Sequence, residues 1–518
     1  DVDPGQAPNR TVVTFGGPPE PVVEAAFRAA PPAAALIDMR QHHGEHPRFG
    51  ALDVCPLVPV AGITMDETVA HARRLAQRIG TELGIPVYCY EYAATRPERR
   101  NLATVRAREW RPDFGPAEFN ARSGACAVGA RDFLVAYNVN LNTTSTRRAN
   151  AIAFDIREAG RPKRTGDPLT GPIERDADGR PVHIPGTLKC VKAIGWYIAE
   201  YGIAQVSINL TNLSVTPLHV AFDEVCRAAH ERGIRVTGSE LVGLVPLQAM
   251  LDAGRYFLHK QQRSTGVSDD ELIRIAVKSL GLGDLYPFKP AEKIIEYAIA
   301  ARAPRAPRLV DRTVRGFVEE TASESPAPGG GSVSATVGAL GAALATMVAN
   351  LSSHKRGWDE RWREFSDWAE QGKQHYTALL RLIDDDTAAF NEVMAALGLP
   401  QGGDAQKAAR VAALQSATRR AIDVPLQVMR TAVASMAVIR AMAEHGNPNS
   451  VSDAGVGALC ARLAVRGAYL NVRINTGGLD DAEHVRAVLA EGAELERRAA
   501  DEEAAILKIV DAKMAQTT

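Results

Sequence analysis

No two of the six cysteines stand in a CxxC pair: Cys55, Cys89, Cys126, Cys190, Cys226 and Cys460 are scattered along 518 residues. Scattered thiols fit a reduced, cytoplasmic protein better than a disulfide-stapled secreted one, and they offer zinc no clasp. The HExxH pattern is also missing, so no metal is expected. No GK[ST] follows the glycine-rich stretch at 327–332, which excludes a phosphate-binding P-loop. Net charge is nearly absent, with 60 Lys and Arg against 61 Asp and Glu. Bulk attraction to nucleic acid or to an anionic membrane is therefore not expected. No secretory leader is visible. The only stretch resembling a membrane span, 325–353, lacks charge but consists mostly of Ala, Gly, Ser and Thr. Such weakly apolar residues predict a helix buried in a bundle rather than a span.

A chain of this length implies two to four domains with ample cores. Periodicity predicts a strand at 12–15, a helix at 20–30 and a strand at 86–90. Thr64-Met65-Asp66-Glu67 is a capping box opening a helix to about Leu83. A second run predicts strand 133–139, helix 145–158, a polar loop 160–187, strands 194–198 and 204–210, helix 218–232 and strand 234–237. The stretch "ARAPRAPR" at 301–308 is a Pro/Arg linker. Beyond it, apolar residues at three-to-four spacing predict helices at 358–381, 405–422, 426–444, 456–468 and 482–512. The expected organisation is two α+β subdomains (1–133 and 134–300), the linker, and an all-α bundle (309–518).

Four polar groups stand out. Residues 41–60, "QHHGEHPRFGALDVCPLVPV", gather His42, His43, Glu45, His46 and Arg48 where Gly44, Pro47 and Gly50 prevent helix. A histidine on a loop beside a strand is a natural proton acceptor near neutral pH, though surface histidines beside charges are ordinary. The loop 115–124, "GPAEFNARSG", reads as a connection from its residues alone. Ser239 and Glu240 close a strand, suited to substrate contact or to a hairpin. Asp384, Asp385 and Asp386 point in different directions on a helix, so at most two face inward. A solvated face is the ordinary reading of such a run.

The segment "HHGEHPRFGALDVCPLVPV" resembles the signature of glutamate formimidoyltransferases. "PDFGP", "GARDFLVAYNVNL", "IGWYI", "QVSINL" and "GSELVGLVPL" follow in that family's order. "APGGGSVSA", "LIDDDTAAF", "NPNSVSDAGV" and "RGAYLNVRIN" then match a cyclodeaminase. The resemblance covers essentially the whole chain and identifies it with the formimidoyltransferase-cyclodeaminase family. It implies transfer of a formimino group from N-formimino-L-glutamate to tetrahydrofolate, then closure to 5,10-methenyltetrahydrofolate with loss of ammonia. By that resemblance His46 is the transferase base, Asp3 its orienting partner, and His42 and His43 mere neighbours. The loop of Gly115, Pro116, Ala117, Glu118, Phe119, Asn120, Ala121, Arg122, Ser123 and Gly124 would contact folate, polyglutamylated in its natural form. Asp386 would carry the cyclodeaminase step. Gly330, Gly331, Ser332, Lys355, Asn449, Asp453 and Asn475 are further expected contacts, and the glycine-rich helix start also suits an anion. The resemblance further implies ferredoxin-like transferase subdomains with substrate in the cleft between them, and a homo-oligomer built on dimers, up to an octamer. The family begins with another strand and carries an excursion after "VRAREW", so a missing start and a shortened 101–110 region are expected here. Two alternatives remain at this point: a transferase whose helical half only scaffolds, and a folate-binding module without turnover. Ammonia release sets the two-enzyme reading apart from the first, and turnover sets it apart from the second.

Overall fold

The computed structural model describes residues 2–5, 9–43, 48–106, 111–118, 120–166, 171–302 and 307–516. Contacts divide the chain into two compact units, Asp1–Met250 with Val277–Ala303, and Leu251–Ala276 with Pro304–Thr518.

In the first unit β1 (Val2–Gly5) and β2 (Arg10–Val13) pair as an antiparallel hairpin. Helix α1 (Pro19–Leu36), β3 (Val54–Leu57), α2 (Met65–Leu83), β4 (Val87–Glu91), the short α3 (Leu102–Arg106) and β5 (Cys126–Ala130) follow. β5 lies between β3 and β4, and all three run parallel. The runs "VYCYE" and "CAVGA" lack polar alternation because both faces of this sheet are covered. Leu75, Ala76 and Ile79 of α2 pack with Val87, Cys89, Cys126 and Val128 on one side. Phe49, Tyr88, Tyr90, Val105 and Ala127 cluster on the other. α2 starts where its capping box predicts: Thr64 N donates to Glu67 Oε2 at 2.8 Å, and Glu67 N donates back to Thr64 Oγ1 at 3.2 Å.

The same unit continues through β6 (Val135–Leu141), α4 (Thr146–Ile156), a short ladder of β7 (Arg161–Pro162) with β8 (His183–Ile184), then β9 (Val191–Ile198), β10 (Ile203–Leu210), α5 (Leu218–His230) and β11 (Val236–Val242). The long strands form a sheet in the order β11-β6-β10-β9, antiparallel throughout. Alternation along each strand decides its two faces. Ala204, Val206, Ile208 and Leu210 are buried in the core with Val135, Tyr137, Val139 and Leu141. The opposite face presents Asn138, Asn140, Gln205 and Glu240.

Helices α6 (Leu247–Lys260) and α7 (Asp269–Leu280) follow, then α8 (Pro290–Lys293) and α9 (Ile295–Arg302). The hairpin 251–276 packs with the second unit, although the sequence places it amid 134–300. There Thr265 N donates to Ser366 Oγ at 3.1 Å, and Lys373 pairs with Asp269 at 2.7 Å.

The second unit is built from α10 (Val314–Thr321), α11 (Gly330–Ser353), α12 (Trp362–Leu397), α13 (Asp404–His445), α14 (Val451–Asn475) and α15 (Ala482–Ala515). α11 and α13 are long and apolar enough to cross a membrane, but 61% and 67% of their most apolar stretches are buried within the protein. The small residues of α11 explain that burial. A Cβ on Gly341 would stand 2.8 Å from the carbonyl oxygen of Gly457, so α11 and α14 meet backbone to backbone. Where two helices were expected around Pro425, α13 is one continuous helix of 42 residues. Pro425 removes the bond to the carbonyl of Ala421. Asn475 Nδ2 supplies a replacement donor to that oxygen at 2.7 Å.

Candidate active sites

In the first unit the strand leaving the histidine segment is stitched to the loop 115–124. Ala125 N donates to Phe49 O and Ala51 N to Ser123 O, each at 2.8 Å. Gly124 sits at φ +70, and a Cβ there would lie 2.1 Å from Phe49 O, so only glycine allows this approach. Phe49 N donates to Asp53 Oδ1 at 2.9 Å, and Arg106 grips the other oxygen of Asp53 at 2.5 Å. Asn120 Oδ1 takes the amides of Arg122 and Ser123 at 2.9 and 3.1 Å, which folds the loop on itself. The guanidinium of Arg122 donates to Ala35 O of α1 at 2.8 Å, so this arginine anchors the loop.

His46 and Phe119 lie outside the described residues. The segment just before His46 is held by the first hairpin, because Asn9 Nδ2 donates to His43 O at 2.8 Å. Arg48 returns a bond to Asn9 O at 3.0 Å. Asp3 belongs to β1, in register with Val12.

Two acids line this unit, Glu91, which the sequence reading left out, and Glu240, which it offered as a substrate contact. Glu91 ends β4 at φ +52, a strained conformation for a non-glycine residue. Burial pushes its carboxyl up, opposed by Arg131, Lys192 of β9 and Arg100. Glu240 anchors a buried polar network on the polar face of the four-stranded sheet. Its carboxylate accepts from Asn138 at 3.2 Å, Gln205 at 3.3 Å and Tyr286 at 2.8 Å. Ser239 points the other way and donates to Leu280 O at 2.6 Å.

In the second unit the three adjacent aspartates part company. Asp384 accepts the amide of Leu309 at 2.6 Å, and Asp385 faces Arg381 at 3.6 Å. Asp386 turns to the start of α11. It accepts from Ser332 Oγ at 3.0 Å and from the Ser332 backbone. A Cβ on Gly331 would fall 2.1 Å from Asp386 Oδ1, so glycine is what admits the carboxylate here. Burial raises the pKa of Asp386, and the bonds from Ser332 only partly offset it. Neither neighbouring aspartate, Asp384 or Asp385, is among the causes of that rise. A half-buried carboxyl that keeps its proton more readily than usual, beside a helix start, is chemically equipped to pass a proton.

The remaining expected contacts do not gather there. α11 is 24 residues long, about 36 Å, and Lys355 lies just past its far end. Its ammonium sits over the Trp358 ring at 4.1 Å. Asn447 N donates to Ser352 Oγ at 2.8 Å, which brings Asn449 and Asp453 to that far end too. Asn475 caps the carbonyl freed by Pro425. Asn471 was missed: its amide nitrogen would lie 3.1 Å from a Cβ on Gly330. Lying one helical turn before Asn475 was its only signal in the sequence. Among the described residues, no three His, Cys, Asp or Glu side chains gather as a metal site would need.

Three family descriptions match the chain: "Formiminotransferase domain, N-terminal subdomain" at residues 1–131, "Formiminotransferase domain" at 136–300 and "Formiminotransferase-cyclodeaminase" at 313–494. The formimidoyltransferase-cyclodeaminase of Sus scrofa is 41% identical over 527 residues, covering 99% of this chain and 93% of its own. The glutamate formimidoyltransferase of Thermoplasma acidophilum is 39% identical over 50% of this chain and 80% of its own. A methenyltetrahydrofolate cyclohydrolase of Methylorubrum extorquens is 42% identical over 33% of this chain and 82% of its own.

Proposed function

The chain belongs to the formimidoyltransferase-cyclodeaminase family, and from that premise we propose which of its residues carry each of its two reactions. It transfers the formimino group of N-formimino-L-glutamate to tetrahydrofolate, then cyclises 5-formiminotetrahydrofolate to 5,10-methenyltetrahydrofolate with release of ammonia. The observation that carries this is a likeness running through both halves to a bifunctional relative.

For the transfer, His46 takes the N5 proton as N5 bonds to the formimino carbon, then protonates the glutamate nitrogen as that bond breaks. Asp3 orients it. The loop 115–124 seats the folate, and its attachment to the strand that leaves the histidine segment supports this. For ring closure, N10 attacks the formimino carbon and gives up its proton while the departing nitrogen gains one. Asp386 shuttles that proton. Its burial and its bond to Ser332 support the role, with Gly330, Gly331 and Asn471 framing the substrate.

The second transferase subdomain takes a ferredoxin-like form, which the β-α-β-β-α-β order of its antiparallel sheet supports; the parallel β3-β5-β4 sheet of the first does not match that form. The chain works as a homo-oligomer. Exposed apolar stripes on α11 (Leu340, Met347, Leu351) and α14 (Val456, Leu459, Leu463, Leu470, Ile474) support it. A second copy laid antiparallel along these stripes would set its Lys355, Asn449 and Asp453 beside the Asp386 of the first. Cytoplasmic location fits six free cysteines. Folate arrives polyglutamylated, and the pathway served is histidine breakdown. One coupled assay tests the function: methenyl-folate absorbance and ammonia, followed with both substrates present. Methenyl-folate without ammonia, or neither product, would overturn it.

A further inference from the structure

The polar face of the four-stranded sheet carries a carboxylate whose bonding is unusual. Glu240 accepts hydrogen bonds from Asn138, Gln205 and Tyr286, and the Tyr201 hydroxyl donates to it as well. All four donors are neutral. No Lys or Arg forms an ion pair with Glu240 among the described residues. The network is built and buried: Asn138 is 4% exposed, Asn140 and Gln205 0%. Gln205 is itself fixed by Asn140 at 2.9 Å and by the Trp196 indole at 3.1 Å. A carboxylate positioned by neutral dipoles and left without a counter-charge is arranged to receive a cation from elsewhere.

It lines a cavity of ≈ 180 Å³ together with Tyr286 and Lys293, with Val2 and Val242 as apolar walls. Lys293 has no ion-pair partner among the described residues. The cavity therefore holds one open anion and one open cation, in a space suited to a small molecule carrying both charges. Val2 ties it to the histidine segment. The hairpin that begins at Val2 reaches Asn9, which bonds His43 and Arg48. That is three or four residues of strand, on the order of 10 Å.

We propose that this cavity is the subsite for N-formimino-L-glutamate: Glu240 pairs with the cationic formamidinium and Lys293 with a carboxylate of the same molecule. The inference rests on the transferase reading above. The pairing keeps the amidine protonated, the form whose carbon is electrophilic, and aims it toward the histidine segment. It also explains how the site prefers the amidine to a neutral N-formyl group of the same shape, because Glu240 gains a charged partner only from the former.

The test uses N-formyl-L-glutamate as a neutral competitor against N-formimino-L-glutamate in the full-length enzyme. The parent should bind the formimino compound about 10- to 100-fold more tightly than the formyl one. Glu240→Gln should erase most of that preference, raising KM for N-formimino-L-glutamate by about 10-fold or more. Its KM for tetrahydrofolate and its ammonia release from supplied 5-formiminotetrahydrofolate should hold. Lys293→Met should instead weaken both glutamate compounds alike, which covers the case that Glu240→Gln misfolds. A parent without turnover of N-formimino-L-glutamate would sink the transferase reading itself. A parent that turns over, with Glu240→Gln keeping the full preference or Lys293→Met binding both compounds normally, overturns the subsite alone.

Discussion

Asp386→Asn separates the two reactions most sharply, because it keeps the side chain's size and removes only its titrating proton. Ring closure must deprotonate N10 and protonate the departing nitrogen. Without a shuttle, proton transfer falls to water in a half-buried site. General acid–base groups are worth about 10²–10⁴ in rate, or about 3–5 kcal/mol of barrier. Ammonia release should fall by that factor while 5-formiminotetrahydrofolate accumulates at the parent rate. A second readout follows from the pKa direction. Burial raises the carboxyl of Asp386 above its ordinary 3.8. The folded chain then holds this proton more tightly than the unfolded one, so stability falls as pH rises from the unfolded value through the folded one. Asn carries no such penalty. The melting temperature of Asp386→Asn should exceed the parent's near neutral pH, and the gap should narrow as pH drops toward the ordinary 3.8. Normal ammonia release by the variant would refute the assignment. Release lost only in Asp384→Asn would move it two residues, against the bond Asp384 makes to Leu309.

His46→Ala should cut formimino transfer by about 10²–10⁴ while closure of supplied 5-formiminotetrahydrofolate survives, a split that single-substrate assays detect. Arg122→Ala removes the bond from the folate loop to Ala35, so tetrahydrofolate binding should weaken by about 1–3 kcal/mol. A folate titration matching the parent would return the loop to a plain connection. Asn475→Ala leaves the Ala421 carbonyl unsatisfied beside Pro425 and should destabilise the helical unit by about 1–3 kcal/mol in urea unfolding, with KM unchanged.

Local signals were legible wherever a few neighbouring residues decide the structure. The capping box at Thr64 placed α2 within a residue at either end, since both partners lie within one turn. The strand readings placed β10 within a residue and found the end of β9 but began it three residues late. Pro425 misled for the opposite reason: a proline ends a helix unless some other group feeds the orphaned carbonyl. That group, Asn475, arrives from fifty positions downstream. The hold on the hairpin 251–276 is just as remote, because Ser366, Glu370 and Lys373 belong to a helix a hundred residues on.

The acidic triplet marks the limit of what periodicity can say. It correctly separated the directions of three adjacent side chains, yet it could not rank them, since each faces a different remote partner: the amide of Leu309, Arg381, and the start of α11. Resemblance picked Asp386, and the fold sets it apart from its two neighbours. Of the three, only Asp386 meets a backbone without a side chain in its way, at Gly331, and burial raises its carboxyl. The same long-range geometry divides the other expected contacts. Residues that look like one site along the sequence stand at opposite ends of α11 because α14 runs antiparallel to it. Any role for Lys355, Asn449 and Asp453 in the chemistry at Asp386 therefore requires a second copy of the chain.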